Sequence, residues 1–284
     1  MDTSKEESWT EVISPRKKWF EFRFNELWRY KFLIFLFVRR DFVAIYKQTI
    51  LGPLWHIIQP LLTTITFTIV FGRIAGISTD GQPQFLFYMA GVTIWNYFAE
   101  SLNKTSTTFI DNASVFGKVY FPRLAVPVSI VISGLLAFVV QFTLFLIFYL
   151  YFYFTSQTLQ PNWYLLLIPV LLMLMAILGL GLGIIISALT TKYRDLRFLV
   201  TFGVQLLMYT SAVIYPLSSL KGIGRTILSF NPLVPIIETF RVAFFGTGIF
   251  SWTMLLYSAG FTIVVFIGGV SLFHRVEKTF MDTV

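Results

Sequence analysis

Cysteine is absent from the 284 residues, histidine occurs only as His56 and His274, and charged side chains make up 13% of the chain. Without cysteine there is no disulfide framework, no thiolate chemistry and no cysteine-ligated metal. Two histidines are too few for a multi-histidine metal site within one chain. The phosphate-binding motifs are missing as well. The Gly117-Lys118 dipeptide is followed by Val119 and lacks the upstream glycine-rich loop that would cradle phosphates. No Gly-x-Ser-x-Gly elbow and no His-Glu-x-x-His helix occurs. The chain is therefore expected to bind no cofactor of its own and to hydrolyse no ATP through a P-loop. Seven acids follow residue 50, spaced singly. They offer no carboxylate cluster to hold a metal against a pyrophosphate, as a membrane-embedded glycan-lipid enzyme would need.

What the chain has instead is apolar length. Hydrophobic residues make up 56% of it, and its mean hydropathy is +0.74. A soluble domain carries about 25% charged residues, so a bilayer is the expected solvent. A bilayer core is crossed by roughly 20 apolar residues in a helix, and six segments qualify: 51–72, 84–103, 124–154, 163–189, 197–216 and 251–273. They are continuously apolar rather than alternating, which favours helices over a barrel. The third is long enough to tilt or to project beyond the bilayer.

Charge placement orients them. The formal charge is +8, and ten of the 22 Lys and Arg lie in the first fifty residues. That stretch lacks the short apolar core and cleavage site of a secretory signal. With the N-terminus inside, the inside segments hold eighteen Lys and Arg, and the outside ones hold four: Arg73, Lys221, Arg225 and Arg241. The positive-inside rule then predicts two cytoplasmic termini and an even number of spans. The expected organisation is a cytoplasmic segment with an interface helix over 1–50 and a six-span domain over 51–273. Inside loops fall at 104–123 and 190–197, an outer hairpin at 217–250, and a cytoplasmic tail at 274–284.

Several local patterns refine this all-α membrane fold. Phe35, Val38, Phe42 and Ile45 recur at helical spacing, with Arg40, Asp41 and Lys47 elsewhere on the wheel. This suits an amphipathic helix in the membrane interface. Arg39, Arg40 and Lys47 would anchor to headgroups there. The 217–250 connection is too apolar for an ordinary loop. Its Gly and Pro residues break it into pieces that predict two short helices re-entering the outer leaflet. Glu100 and Lys104 form an i,i+4 pair at the inner end of the second span. Gly179 and Gly183 make a Gly-x-x-x-Gly step on the fourth, suited to close packing within or between chains. Mid-membrane acids are otherwise lacking, which disfavours a proton or sodium relay. No internal repeat marks an inverted-repeat carrier. Aromatic residues reach 18%. Most form interfacial belts, while Trp95, Tyr97, Tyr209 and Tyr215 are candidates to line a path and stack on sugar rings.

Four segments together resemble the permeases of type-2 ABC exporters, in particular the polysaccharide-export branch. They are Arg39-Arg40-Asp41-Phe42 through Tyr46 to Trp55, closing with Gln59-Pro60; Val115 to Pro122; Tyr193-Arg194-Asp195; and Tyr215-Pro216-Leu217 followed by Asn231-Pro232-Leu233 and Pro235 to Arg241. The resemblance implies a homodimer of six-span subunits in a bacterial inner (plasma) membrane. Two copies of a separate nucleotide-binding subunit would hold ATP and Mg2+. The cargo implied is a lipid-linked polysaccharide such as an O-antigen, a capsular chain or a teichoic acid. Phe116, Lys118, Val119, Tyr120 and Phe121, with Arg194 and Asp195, would couple to the ATPase. Pro216, Asn231, Pro232, Glu238 and Arg241 would belong to the outer gate. The same architecture carrying a lipid or a drug is the nearest alternative, and a non-transporting scaffold a more distant one.

Overall fold

The computed structural model describes residues 24–47, 52–119, 121–156, 158–190, 193 and 195–279. All regular structure among them is helical. The chain begins with α1 (Phe24–Arg29) and α2 (Lys31–Lys47). Next comes α3 (Trp55–Phe67), which runs on as a π-helical segment over Thr68–Ile74, and then α4 (Gln84–Thr105). Two single turns follow, α5 (Thr108–Asp111) and α6 (Ala113–Phe116), and then the long α7 (Ala125–Ser156). A 3-10 turn at Trp163–Leu167 leads into α8 (Ile168–Thr190), and α9 (Leu196–Tyr209) follows. The chain closes with α10 (Ile223–Ser229), α11 (Leu233–Phe245) and α12 (Trp252–Thr279).

Four helices are long and apolar enough to cross a bilayer by themselves: Trp55–Ile74, Ala125–Ser156, Trp163–Thr190 and Trp252–Glu277. The other two expected spans differ from these in instructive ways. α4 has the length, at 22 residues, but carries Asn96, Glu100, Asn103 and Lys104. It packs against α3, α7, α8 and α11, so protein covers most of its surface, with Asn96, Glu100 and Asn103 half-buried and Lys104 exposed. α9 has 14 residues, about 21 Å at 1.5 Å per residue. The helix expected over 197–216 thus stops at Tyr209, and residues 210–216 continue as irregular chain. α7 has 32 residues, about 48 Å, and overshoots a core of about 30 Å.

Small residues set the packing distances. A Cβ on Gly179 would sit 3.0 Å from Ser101 Cβ and 3.2 Å from Phe98 O, and one on Gly183 would collide with Thr105. Gly181 faces the backbone of Phe266, and a Cβ on Gly269 would lie 2.7 Å from Gly181 O. The glycine step on α8 therefore packs within the chain, against α4 on one side and α12 on the other.

α2 packs on α7. Leu33, Ile34 and Phe37 turn toward the bundle, whereas Phe35 and Phe42 stay exposed. The side chains of Ile45 and Lys47 lie outside the described residues, as do Tyr120 and Arg194.

Candidate functional site

Chemistry gathers at two places along α4. Near its start, α11 presents Glu238 and Arg241, one helical turn apart and both almost fully buried. The Arg241 guanidinium lies 3.7 Å from the centre of the Phe87 ring, a cation–π distance. Its Nη1 donates to Ala212 O at 2.6 Å, and its Nη2 donates to Val213 O. Glu238 Oε1 is 3.4 Å from Nη1 and accepts the Leu217 backbone N–H at 3.2 Å. Both charges thus bind the irregular segment that follows α9. A buried arginine is costly unless its charge is paired; here both terminal nitrogens are met, while Nε has no hydrogen-bond partner among the described residues. Ala212 itself has φ 55°, a left-handed conformation costing about 1–3 kcal/mol in a non-glycine residue. Its carbonyl is held by Arg241.

Further groups in and beside this segment are met in the same way. Asn231 Nδ2 donates to Thr210 O at 2.9 Å and to Ser211 Oγ at 3.0 Å, and Asn231 Oδ1 accepts from Leu233 N. Tyr215 OH donates to Tyr209 O at 2.7 Å. Pro216 is buried, and Pro232 is half-buried at the entry to α11. The expected gate residues Pro216, Asn231, Pro232, Glu238 and Arg241 are therefore brought together, with Tyr209 and Tyr215 beside them. Trp95 and Tyr97 are not. Both are core side chains, Trp95 against Phe98 and Tyr97 against Phe138, and neither offers a ring face to a path.

The last four carbonyls of α11 would be orphans in a hydrocarbon environment, and each finds a donor. Asn162 Nδ2 and Gly246 N serve Val242 O, and Asn162 N serves Ala243 O. Tyr149 OH serves Phe244 O at 2.9 Å, and Gln160 N serves Phe245 O. Gln160, Asn162 and Tyr149 escaped the sequence reading. Their partners are roughly 80–95 positions away in the chain, and nothing local marks them.

At the other end of α4 lies the loop 104–124. Lys118 and Val119 are exposed, whereas Phe116 and Phe121 are buried. The two phenylalanines expected on a docking surface instead face inward. Phe121 meets Phe37 of α2 at 5.7 Å between ring centres, and Phe116 meets Phe109, which stacks on Phe273 of α12 at 4.5 Å. Arg123 Nη1 donates to Glu277 O at 2.8 Å. α8 joins this region through Ser187 Oγ, which accepts from Phe109 N, and Thr190 Oγ1, which donates to Ser106 O. Asp195 is exposed at the start of α9.

Beside this loop, α2, α4, α7 and α9 line an open cavity of about 650 Å3. Arg40, His56, Lys104 and Arg197 reach it, as do the carboxylates Asp41, Glu100 and Asp111. Arg39 is exposed. Arg40 pairs with Asp41 at 2.8 Å and lies over the Phe37 ring. The expected i,i+4 pair is formed, with Lys104 Nζ 2.5 Å from Glu100 Oε1. Among the described residues no three His, Asp or Glu side chains converge on a point that could hold a metal ion.

Comparison with known proteins accords with this arrangement. The chain is 28% identical over 251 residues to the O-antigen export system permease protein RfbA of Klebsiella pneumoniae, covering 88% of this chain and 94% of the relative. It is 25% identical over 262 residues to the RfbA of Myxococcus xanthus, covering 92% and 98%. It is 23% identical over 233 residues to the polysialic acid transport protein KpsM of Escherichia coli, covering 82% and 89%. Residues 33–245, from the start of α2 to the end of α11, match the ABC-2 type transporter family. That stretch contains the cavity, the inward-facing loop and the buried Glu238–Arg241 hairpin, and the chain belongs to the ABC-2 type transporter family.

Proposed function

We propose that this chain is the membrane permease of an ATP-driven exporter whose cargo is a lipid-linked polysaccharide of the O-antigen, capsule or teichoic acid type. The carrying observation is the near full-length likeness to O-antigen and polysialic acid export proteins, within a family match that spans three quarters of the chain. The chain is a transporter permease, and a separate nucleotide-binding subunit hydrolyses ATP. In this reading two permeases and two such subunits, each holding ATP and Mg2+, assemble in the inner membrane, and the conduit forms between the permeases. Both termini are cytoplasmic, as the surplus of Lys and Arg in the 1–50, 104–123, 190–197 and 274–284 segments suggests.

Six spans remain the best reading of the topology. α4 needs little apolar exterior because its neighbours cover most of it, and α9 is completed by the irregular 210–216 segment, whose Thr210, Ala212, Val213 and Pro216 carbonyls accept from side chains. α10 and α11 then form the re-entrant outer gate, with a bend of 95° between them. On the cytoplasmic side the exposed pair Lys118 and Val119, with Tyr120, Arg194 and Asp195, meets the ATPase. Phe116 and Phe121 act behind that surface. A push on the loop is passed by Phe121 to α2, and by the Phe109–Phe273 stack and Arg123 to α12. Arg39, Arg40 and Lys47 serve to anchor α2 to lipid headgroups. Tyr209 and Tyr215, at the mouth of the hairpin, take over the role of sugar-stacking candidates.

The test is co-purification of the permease with its ATPase subunit, followed by ATP turnover in lipid with and without the lipid-linked glycan. Glycan-stimulated turnover that is abolished by Val119→Asp, with the permease still inserted and folded, is the expected result. If no nucleotide-binding subunit associates stably with the chain, the exporter reading falls.

A further inference from the structure

The connection between α3 and α4 reaches over to the outer hairpin. At its tip Asp80 and Gly81 have φ of 53° and 78°, and Gln82 N donates to Thr79 O at 3.0 Å. Residues 79–82 therefore form a tight turn of the kind that takes two left-handed residues, for which Asp-Gly is a favoured pair. Aspartate is among the few side chains that accept this backbone at modest cost. Thr79 Oγ1 donates to Gln82 O at 2.7 Å and braces the turn from the other side.

Two side chains of the turn cross to the hairpin, one at each of its ends. Gln82, which is buried, donates through Nε2 to Thr247 Oγ1 at 3.2 Å, just beyond α11. Asp80 accepts from Ser218 Oγ, 2.6 Å from Oδ1 and 2.8 Å from Oδ2, just before α10. What backs the two contacts differs. Thr247 follows α11, whose last carbonyls are tied to Asn162, Tyr149 and Gln160. Ser218 is exposed, and among the described residues no Lys or Arg pairs with Asp80. A single hydroxyl in contact with water exchanges one hydrogen bond for another and opens readily.

Ser218 also marks a boundary along the chain. The buried Glu238 holds Leu217 N, so the chain is fixed up to that residue. Beyond Ser218 lies Gly222, exposed, with φ 60° and open space where a Cβ would be. Glycine turns there without steric cost, which makes it a pivot. α10 follows at once, and its Leu228 packs against the small cluster of Ala212, Leu217 and Val234.

We infer that the 75–83 connection is a strap over the outer hairpin, anchored where Gln82 meets Thr247 and releasable where Asp80 meets Ser218, and that the releasable contact keeps α10 closed between export cycles. The inference rests on the reading of α10 and α11 as an outer gate. When cargo presses on the hairpin, the Ser218 hydroxyl leaves the carboxylate and water replaces each partner. α10 then turns about Gly222 while α11 stays in place. The braced turn keeps Asp80 in position, so Ser218 finds it again when the mouth closes. No covalent bond changes.

The chain has no cysteine, so one pair of thiols can be introduced without interference. In a first arm, the Asp80→Cys/Ser218→Cys variant is reconstituted with its ATPase subunit and lipid-linked glycan, and the thiols are joined by a short bis-methanethiosulfonate reagent. Joining should lower export about tenfold or more, as for any lid held shut, and dithiothreitol should restore it. Neither single-cysteine variant should respond to the reagent. In a second arm, hydrogen exchange of the purified full-length chain compares residues 223–229 with 233–245. Ser218→Ala and Asp80→Gly each remove the contact, and glycine preserves the turn. Each should speed exchange in 223–229 about three- to tenfold, the loss of one exposed hydrogen bond to a charged group, and leave 233–245 unchanged. Combining them should add nothing further, and Ser218→Thr, which keeps the hydroxyl, should match the wild type.

The inference is overturned if the joined variant exports as fast as the unjoined one, or if the single-cysteine variants lose export with it. It is equally overturned if Ser218→Ala and Asp80→Gly leave exchange in 223–229 unchanged, or raise it as much in 233–245. Export that persists after joining removes the strap and keeps the exporter. A wild type that exports no glycan removes the exporter reading, and the exchange arm then decides the strap by itself.

Discussion

α10 and α11 are neighbours in the chain, both apolar and both short, and they end up in opposite conditions. All 13 residues of α11 are buried, and none of the seven in α10 is. Ile223 and Ile227 of α10 are 79% and 64% exposed, whereas Ile236 and Ile237 of α11 have no exposure. α11 is the more apolar, with nine Ala, Val, Ile, Leu or Phe among its 13 residues against three among the seven of α10, and it also carries polar groups that must be answered from elsewhere. Its Arg241 and Glu238 reach the chain after α9, and its terminal carbonyls are answered by Asn162, Tyr149 and Gln160. α10 has one long-range tie at its end, from Tyr257 OH to Phe230 O at 2.9 Å. Buried polar contacts are expensive to break, so α11 is the fixed half of the hairpin and α10 the half free to move.

The comparison can be broken most severely at Arg241. Arg241→Met would leave Glu238 as an unpaired buried charge and two carbonyls without donors, a loss of about 3–5 kcal/mol. In a denaturant titration of the purified protein it should give the largest loss of stability. Arg241→Lys should restore only part, since an ammonium cannot fork to Ala212 O and Val213 O together. Gly91→Ala comes next. Its Cβ would lie 2.7 Å from Arg241 Nη2 and 2.9 Å from Val213 O, and overpacking of this kind costs about 1–3 kcal/mol. The same titration, combined with Arg241→Met, should show the two effects to be less than additive.

Asn162→Ala removes one of two donors to Val242 O and the acceptor for Tyr164 N. About 1 kcal/mol is expected, with α11 backbone amides near Val242 exchanging faster in hydrogen-exchange measurements. At the small end, Ile227→Ala in α10 should change stability by no more than about 0.5 kcal/mol. A loss as large as that of Gly91→Ala would mean that α10 is packed as firmly as α11, and the contrast between them would fail.

Much of the fold was readable from the chain because the bilayer leaves few choices. Uninterrupted apolar runs must become helices, and the helices at Trp55–Ile74, Gln84–Thr105, Ala125–Ser156 and Trp163–Thr190 fall where such runs lie. The division of 217–250 into short helices was readable from its Gly and Pro breaks, and Pro216, Asn231, Pro232, Glu238 and Arg241 lie together. The fifth span was overextended because Tyr209 to Pro216 is as apolar as a helix, and only contact with Asn231, Arg241 and Glu238 lets it be irregular. Phe116 and Phe121 were assigned to the coupling surface by the family resemblance, and a loop phenylalanine can be exposed or covered. Whether it is depends on Phe37, Phe109 and Phe273, which are distant in sequence.

The sequence by itself determined the solvent, the class of fold, the family and the positions of the elements, since each follows from composition, run length or local pattern. Tertiary structure alone decided which apolar residues are covered and which cation meets which anion. It turned Trp95 and Tyr97 into core, and it paired Arg241 with carbonyls nearly thirty residues away. It also placed Lys104 and Arg197 on one cavity. The physical reason is that in a bilayer apolar exposure has little cost, so hydrophobic pattern fixes length but not facing. Facing is fixed by the need to satisfy buried polar groups, and their partners come from wherever the fold brings the chain.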